Sequence, residues 1–266
     1  MEKLVSVIMG IYNIPSKEIL KEAIDSILNQ TYNNIEFVII DDGSNNDTYL
    51  WAKELTKNDK RVILKKNKKN IGLAATLNKC LTFATGYYIA RMDGDDISDL
   101  NRIKTEVEFL EKYKEYDLVT CNMRCFDEFG VWAYKNGPEI IKKNDFLFNS
   151  PVNHASLLTY KKTYELVKGY NEDKKTLRME DYDIFMRMFY NNVKMYTIQQ
   201  YLYDFREDKN AFNRRKYRYR INEAYVRARG FHLLKLYPKG IFYVIKPLIV
   251  GLIPHKVIRF IRKKRI

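Results

Sequence analysis

Cysteine is scarce. The three in 266 residues, Cys80, Cys121 and Cys125, are too few and too scattered for a disulfide framework, and the Cys-x3-Cys pair has no second half for a zinc site. They are expected to be reduced, buried and cytosolic. No Gly-x-Gly-x-x-Gly and no Gly-x4-Gly-Lys-Ser/Thr follows any strand-like run, which excludes the glycine-loop phosphate cradles. No charge-free stretch reaches the roughly 18 to 20 residues of a spanning helix, because Lys246 and Pro247 interrupt "GIFYVIKPLIVGLIP". The start, "MEKLVSVIMGIYN", has no small-residue cleavage site and does not read as a signal peptide. The chain is expected to begin directly in its first strand.

A composition that is 46% apolar and 14% aromatic excludes a disordered chain and suits one large domain, or one domain with an appendage. The formal net charge of +14 is unevenly placed. Residues 206 to 266 carry a net +15, whereas residues 1 to 205 carry a net −1. The basicity therefore belongs to a C-terminal segment and not to the body, which weakens any nucleic-acid reading.

Along the body, "VSVIMGIY" (5 to 12), "IEFVII" (35 to 40), "RVILK", "YYIARM" and "DLVTC" read as strands. Helical spacing separates them, with apolar residues at Ile19, Leu20, Ala23, Ile24, Ile27 and Leu28. A helix is expected around 48 to 56, another carries Leu73, Leu77 and Leu81 on one face and is stopped by Gly86, and a third carries Ile103, Val107 and Leu110. Periodicity weakens from 122 to about 178 and returns at "EDYDIFMRMFY". Alternating strands and helices predict an α/β fold with a mainly parallel sheet covered on both faces, and ligands bind outside the carboxyl ends of such strands. "YN" (Tyr12, Asn13), "DDGS" and "DGDD" fall at those ends.

"ARMDGDDIS" packs Asp93, Asp95 and Asp96 into four positions. On these residues alone a polar turn with a helix cap and a site are equally good readings. With no glycine loop to receive phosphates, carboxylates holding a hard divalent cation are the alternative, since such a cation bridges phosphate oxygens.

The stretches "SVIMGIYN", "AIDSILNQTYNNIEFVIIDDGSNNDT", "NIGLAATLNKCLTFATGYYIARMDGDD" and "MEDYDIFMRM", in this order and spacing, resemble the family 2 inverting glycosyltransferases of the GT-A fold, of the bacterial polysaccharide or capsule type, over about residues 4 to 206. The resemblance implies that Tyr12 stacks on the nucleobase and that Asp42 accepts from the uracil edge. Asp93 would lie near the ribose and Asp95 on Mn²⁺ or Mg²⁺, with Asn70, Gly72 and Asn78 lining the nucleotide pocket. Asp181 of "MEDYD" would be the base that takes the acceptor's proton, and Asp96 has no role beyond local structure. His154, Glu180 and Arg206 are possible acceptor or phosphate contacts. Arg206 of "YDFRED" falls where many relatives carry a metal-ligating His, and the processive Gln-x-x-Arg-Trp motif is missing, so transfer of a single sugar is expected.

The implied division is a GT-A domain over 1–206, with a nucleotide-sugar-binding half at 1–98 and an acceptor half at 99–206, followed by a basic amphipathic segment at 207–266. The segment mixes aromatics, aliphatics and cations, which suits the surface of an anionic membrane. The implied partners are a nucleotide sugar, UDP-linked, and a glycan or polyprenyl-diphosphate-linked acceptor, with the protein cytoplasmic and peripheral on the inner face of the cell membrane. A nucleotidyltransferase of related architecture and a non-catalytic membrane or nucleic-acid binder are the alternatives.

Overall fold

A computed structural model describes residues 2–207 and 216–252. The basic run at 253–266 lies outside the described residues.

The N-terminal half follows the alternation read from the sequence. Strands β1 (Val5–Ile11), β2 (Ile35–Asp41), β3 (Val62–Lys66) and β4 (Tyr88–Asp93) pair in parallel in the order β3-β2-β1-β4. The connecting helices are α1 (Lys17–Leu28), α2 (Thr48–Thr56) and α3 (Leu73–Phe83). Helix α1 buries Leu20, Ala23, Ile24 and Ile27, and the Ser16 hydroxyl caps it by accepting from the Ile19 amide. Helix α3 stops at Ala84, two residues before the expected breaker. Gly86 instead allows close approach: a Cβ there would stand 2.6 Å from the Ser6 amide nitrogen of β1.

Register places the site. Gly10 pairs with Ile40 on one side and Asp93 on the other, and Ile11 pairs with Asp41. The chain segments that leave β1, β2 and β4 are therefore side by side at one edge of the sheet.

Beyond β4 the topology becomes mixed. After the short β5 (Ile97–Ser98) and α4 (Arg102–Lys112), strand β6 (Leu118–Asp127) turns into β7 (Gly130–Lys135) as an antiparallel hairpin. Strand β8 (Leu158–Tyr160) wedges antiparallel between β4 and β6. It is followed by α5 (Lys161–Leu166), α6 (Glu180–Tyr190) and the long β9 (Met195–Arg206), which runs parallel to β6 and antiparallel to β5. The weak periodicity of residues 122 to 178 thus reflects a hairpin, three short 3₁₀ turns and a three-residue strand, each too short to show a period.

The segment expected as an appendage is partly built into the body. Helix α7 (Tyr217–Leu233) buries Val226 and Phe231 in the same cluster as Phe185, Met186 and Met188 of α6. A Cβ at Gly230 would fall 2.1 Å from the Met186 sulfur, so the two helices meet backbone to side chain. Arg227 is buried, donates to the Leu147 and Phe148 carbonyls at 2.8 and 2.9 Å, and lies over the Tyr182 ring. Helix α8 (Gly240–Leu252) packs on α7, with Pro247 inside it. Among the described residues no helix is long and apolar enough to cross a membrane.

Truncating Phe231 to Ala should therefore destabilise the whole domain, by about 3–5 kcal/mol, the usual cost of emptying a buried aromatic site. Denaturant unfolding followed by α/β circular dichroism should show one transition shifted to lower midpoint; a separate early transition with the main one unmoved would show α7 to be an independent appendage.

Candidate active site

The turns after β1 and β2 are stapled to each other. The Asn13 amide donates to the Ser44 hydroxyl at 2.9 Å, the Asn45 amide to the Asn13 side-chain oxygen at 2.9 Å, and the Ser44 amide to the Asp41 carboxylate at 3.1 Å. Gly43 adopts φ +72, and a Cβ there would meet the Lys69 carbonyl carbon at 2.5 Å, so "DDGS" accepts only glycine at this point. That close approach lets Asp42 take the amides of Ile71 and Gly72, each at 2.9 Å, together with the Asn67 side-chain amide at 3.0 Å. The Asp42 carboxylate thus shapes the "NIG" loop and keeps part of its acceptor capacity for a ligand.

Tyr12, Asp42, Asn70 and Gly72 line one cleft of about 300 Å³, together with Leu73 and Thr76 of α3. Its opposite wall is Leu177, Arg178 and Glu180 at the head of α6 and Tyr219 of α7. Glu180 is buried, one of its carboxylate oxygens has no hydrogen-bond partner, and burial, assisted by the charge of Asp181, raises its pKa above the ordinary carboxylate value. Asp181 follows in the first turn of α6, half-buried, with its charge acting on Tyr170.

Asn78 is not among the residues lining this cleft. Its side chain clamps the turn at 169–172 by accepting from the Tyr170 amide at 2.7 Å and donating to the Tyr170 carbonyl and the Glu172 carboxylate. His154 sits in a tyrosine relay, its Nε2 2.7 Å from the Tyr170 hydroxyl, which lies 2.9 Å from that of Tyr164. Burial and the charge of Arg91 hold the imidazole well below its ordinary value, so the ring is neutral.

At the end of β4 the three carboxylates are separately placed. Asp93 forms a two-pronged pair with Arg91, Nη1 reaching Oδ2 at 2.6 Å and Nη2 reaching Oδ1. Asp96 is buried and accepts from the Tyr203 hydroxyl at 2.8 Å and the Arg206 amide at 2.7 Å. Tyr203 also accepts from the Asp93 amide at 3.2 Å and sits over the Arg102 guanidinium. The Arg206 guanidinium donates to the Asp95 carbonyl at 2.7 Å, pairs with Glu22 and lies over Phe126. Burial first, and the neighbouring Asp93 charge second, raise the Asp95 carboxyl to about 6; Asp96 is raised well above its ordinary range for the same reasons and by Asp95 itself.

Burial and crowded negative charge thus oppose ionisation of Asp95, and its hard oxygens suit Mg²⁺ or Mn²⁺. Among the described residues no group of three His, Cys, Asp or Glu side chains converges on a metal position. A cation at Asp95 would therefore draw most of its ligands from substrate phosphates and water, as Mg²⁺ commonly does. Arg91, Tyr203, Arg178 and Tyr219 were not singled out from the sequence; the motif-adjacent position of Arg178 in "LRMED" was the one available signal.

The sequence profile described as Glycosyl transferase family 2 matches residues 6–165. The Bacillus subtilis protein named "Putative glycosyltransferase EpsE" is 40% identical over 263 residues, 98% of this chain and 94% of that protein. The Escherichia coli enzyme WfaP, a UDP-Glc:α-D-GlcNAc-diphosphoundecaprenol β-1,3-glucosyltransferase, is 37% identical over 114 residues, 43% of this chain and 44% of that protein. Among solved structures, the mannosyltransferase PcManGT of Pyrobaculum calidifontis, in complex with GDP-Man and Mn²⁺, superposes with a TM-score of 0.65 at 16% identity, over 98% of this chain and 79% of that one. The shared fold is the GT-A fold.

The Asp95 proton is bound more tightly in the folded protein than in the unfolded chain, so ionisation of Asp95 opposes folding above about pH 6, and the opposition vanishes below its ordinary value of 3.8. With metal chelated, Asp95→Asn should stabilise the protein by about 1–2 kcal/mol at pH 8 and by nothing measurable at pH 3.5. Thermal midpoints across that range check the sign; a gain independent of pH would contradict it.

Proposed function

The chain belongs to glycosyl transferase family 2, and from that premise we propose that it transfers a single sugar, with inversion, from a UDP-sugar to a glycan or polyprenyl-diphosphate-linked acceptor of a surface polysaccharide. The observation that carries this reading is the cleft in which Tyr12, Asp42, Asn70 and Gly72, from the ends of β1 and β2 and the start of α3, face Glu180 beside Asp181. A base is read by ring and edge at the first wall, and a carboxylate stands ready at the second.

In this reading the Tyr12 ring, exposed at the strand end, stacks on the nucleobase. Asp42 takes one further hydrogen bond from the base edge at Oδ2, while the bonds it already accepts from Ile71 and Gly72 hold the loop that carries Asn70 and Gly72. Asp181 accepts the proton of the acceptor hydroxyl as its oxygen attacks the anomeric carbon from the face opposite the diphosphate. The bond between anomeric carbon and diphosphate oxygen breaks with its electron pair leaving on the nucleoside diphosphate. A Mn²⁺ or Mg²⁺ ion on Asp95, when bound, would neutralise charge on that leaving group. Asp93, held by Arg91, faces the ribose. Arg206 fixes the Asp95 carbonyl, and its charge offsets the acid cluster from the position where many relatives carry a histidine. Glu180, on the cleft wall beside Asp181, orients the acceptor hydroxyl, while His154 acts at a distance through the Tyr170 relay. The UDP preference and the lipid-diphosphate acceptor are supported by WfaP, whose donor and acceptor are of those kinds.

Helix α8 supports location on the inner face of the cell membrane. Ile241, Phe242, Ile245, Ile249 and Leu252 are exposed and fall within one stripe of the helix. Lys239 and Lys246 flank the stripe, and the sequence beyond it adds six Lys or Arg and no acid. An apolar stripe rimmed by cations is the pattern of a helix lying in an anionic interface.

Asp95→Ala and Asp181→Asn should each reduce sugar transfer by about 10³-fold or more, the scale on which base and electrostatic contributions act. Nucleotide binding with Mn²⁺ should weaken only in the first. Release of free UDP, and not pyrophosphate, identifies the reaction, and equal loss of binding in both variants would overturn the assigned roles.

Phe242→Ser combined with Ile245→Ser should abolish sedimentation with liposomes containing anionic lipid while the unaltered protein pellets. Sedimentation that ignores lipid charge would rule out the interfacial reading.

A further inference from the structure

Arg178 adopts φ 69, a left-handed backbone conformation that is strained for any residue other than glycine and that clusters at functional sites. The surroundings impose it. The Met179 amide donates to the Thr176 carbonyl at 2.7 Å, and Asn222 of α7 donates its side-chain amide to the Leu177 and Lys174 carbonyls at 3.1 and 3.3 Å. Helix α7 thus pins the turn immediately before α6, and the same helix supplies the surface on which the side chain rests: the Arg178 guanidinium lies 6.0 Å from the Tyr219 ring centroid.

Both residues line the cleft shared by Tyr12, Asp42 and Gly72, and among the described residues Arg178 is the one basic residue lining it. Among the described residues no carboxylate forms an ion pair with it. An exposed guanidinium with open donors, presented on an aromatic ring and held there by a strained turn, is built to meet an anion. A nucleoside diphosphate is the anion that the cleft's other residues imply, and no glycine loop is present to receive it.

We propose that Arg178, seated on the ring of Tyr219, is the cationic arm that receives the diphosphate of the donor, so that α7 completes the donor site. The proposal rests on the nucleotide-sugar reading of the cleft and deepens it. A planar fork of donors matches phosphate oxygens, and the ring beneath fixes its direction.

Binding of UDP and of uridine to the full chain, followed by ligand-observed NMR titration, tests it. Arg178→Ala should weaken UDP binding tenfold or more and leave uridine unchanged; Arg178→Lys should retain part of the UDP affinity. Tyr219→Ala should weaken UDP binding and Tyr219→Phe should not. Arg178→Gly should lose UDP affinity as Arg178→Ala does, yet melt no lower than the unaltered protein, since glycine takes φ 69 freely. Equal loss of UDP and uridine, or unchanged UDP affinity in Arg178→Ala, overturns the proposal. Binding of neither ligand by the unaltered protein overturns the nucleotide-sugar reading itself, before any substitution is made.

Discussion

Three carboxylates within four residues repel one another, and the half of the molecule beyond β4 is arranged to contain that repulsion at the strand's end. Arg91 neutralises Asp93 from within the same strand. Asp96 is drawn into the interior by Tyr203 and the Arg206 amide, both from β9. Asp95 is left with a carboxylate whose ionisation is opposed by burial and by its neighbour. Two of the three acids are thereby engaged by partners within the protein, while ionisation of both Asp95 and Asp96 is opposed by burial and by neighbouring charge. That is the condition for a site that gains by taking up a cation, because the gain is largest where the protein's own groups supply least.

The dependence runs further than the motif. Tyr203 holds Asp93 and Asp96 only while β9 lies antiparallel to β5, and its ring is supported by Arg102 of α4, itself buried and donating to the Arg91 carbonyl at 3.1 Å. The acid turn, the strand that supports it and the helix that follows it form one cooperative unit. A change at Tyr203 or Arg102 would act on the carboxylates without touching a substrate.

The second organising feature is that the cleft is closed from the far end of the chain. The first wall is built where β1, β2 and α3 meet. The second needs α6 and α7, and α7 is held by buried aromatics and by Arg227. Because α8 packs on α7, the apolar stripe and the cleft are carried by one helical layer. A composition-based boundary at residue 206 separates what packing joins.

Much of the fold was legible in the sequence because it is recorded locally. Alternating apolar runs and 3.6-residue periods determined β1 to β4 and the helices between them, and turn residues marked the strand ends where Tyr12, Asp42 and the acid cluster lie. Order and spacing of motifs determined the family. What only the tertiary structure decided depends on contacts between segments with no sequence relation. Asp42 holds a loop 29 residues away, Asn78 clamps a distant turn and leaves the cleft, and His154 enters a tyrosine relay. Tyr203 and Arg206 reach across more than 100 positions to the acid turn, and Tyr219 of a basic helix joins the cleft of Tyr12 and Asp42. Charge composition reports how many cations a segment carries, but burial, register and backbone strain decide which of them meets a partner.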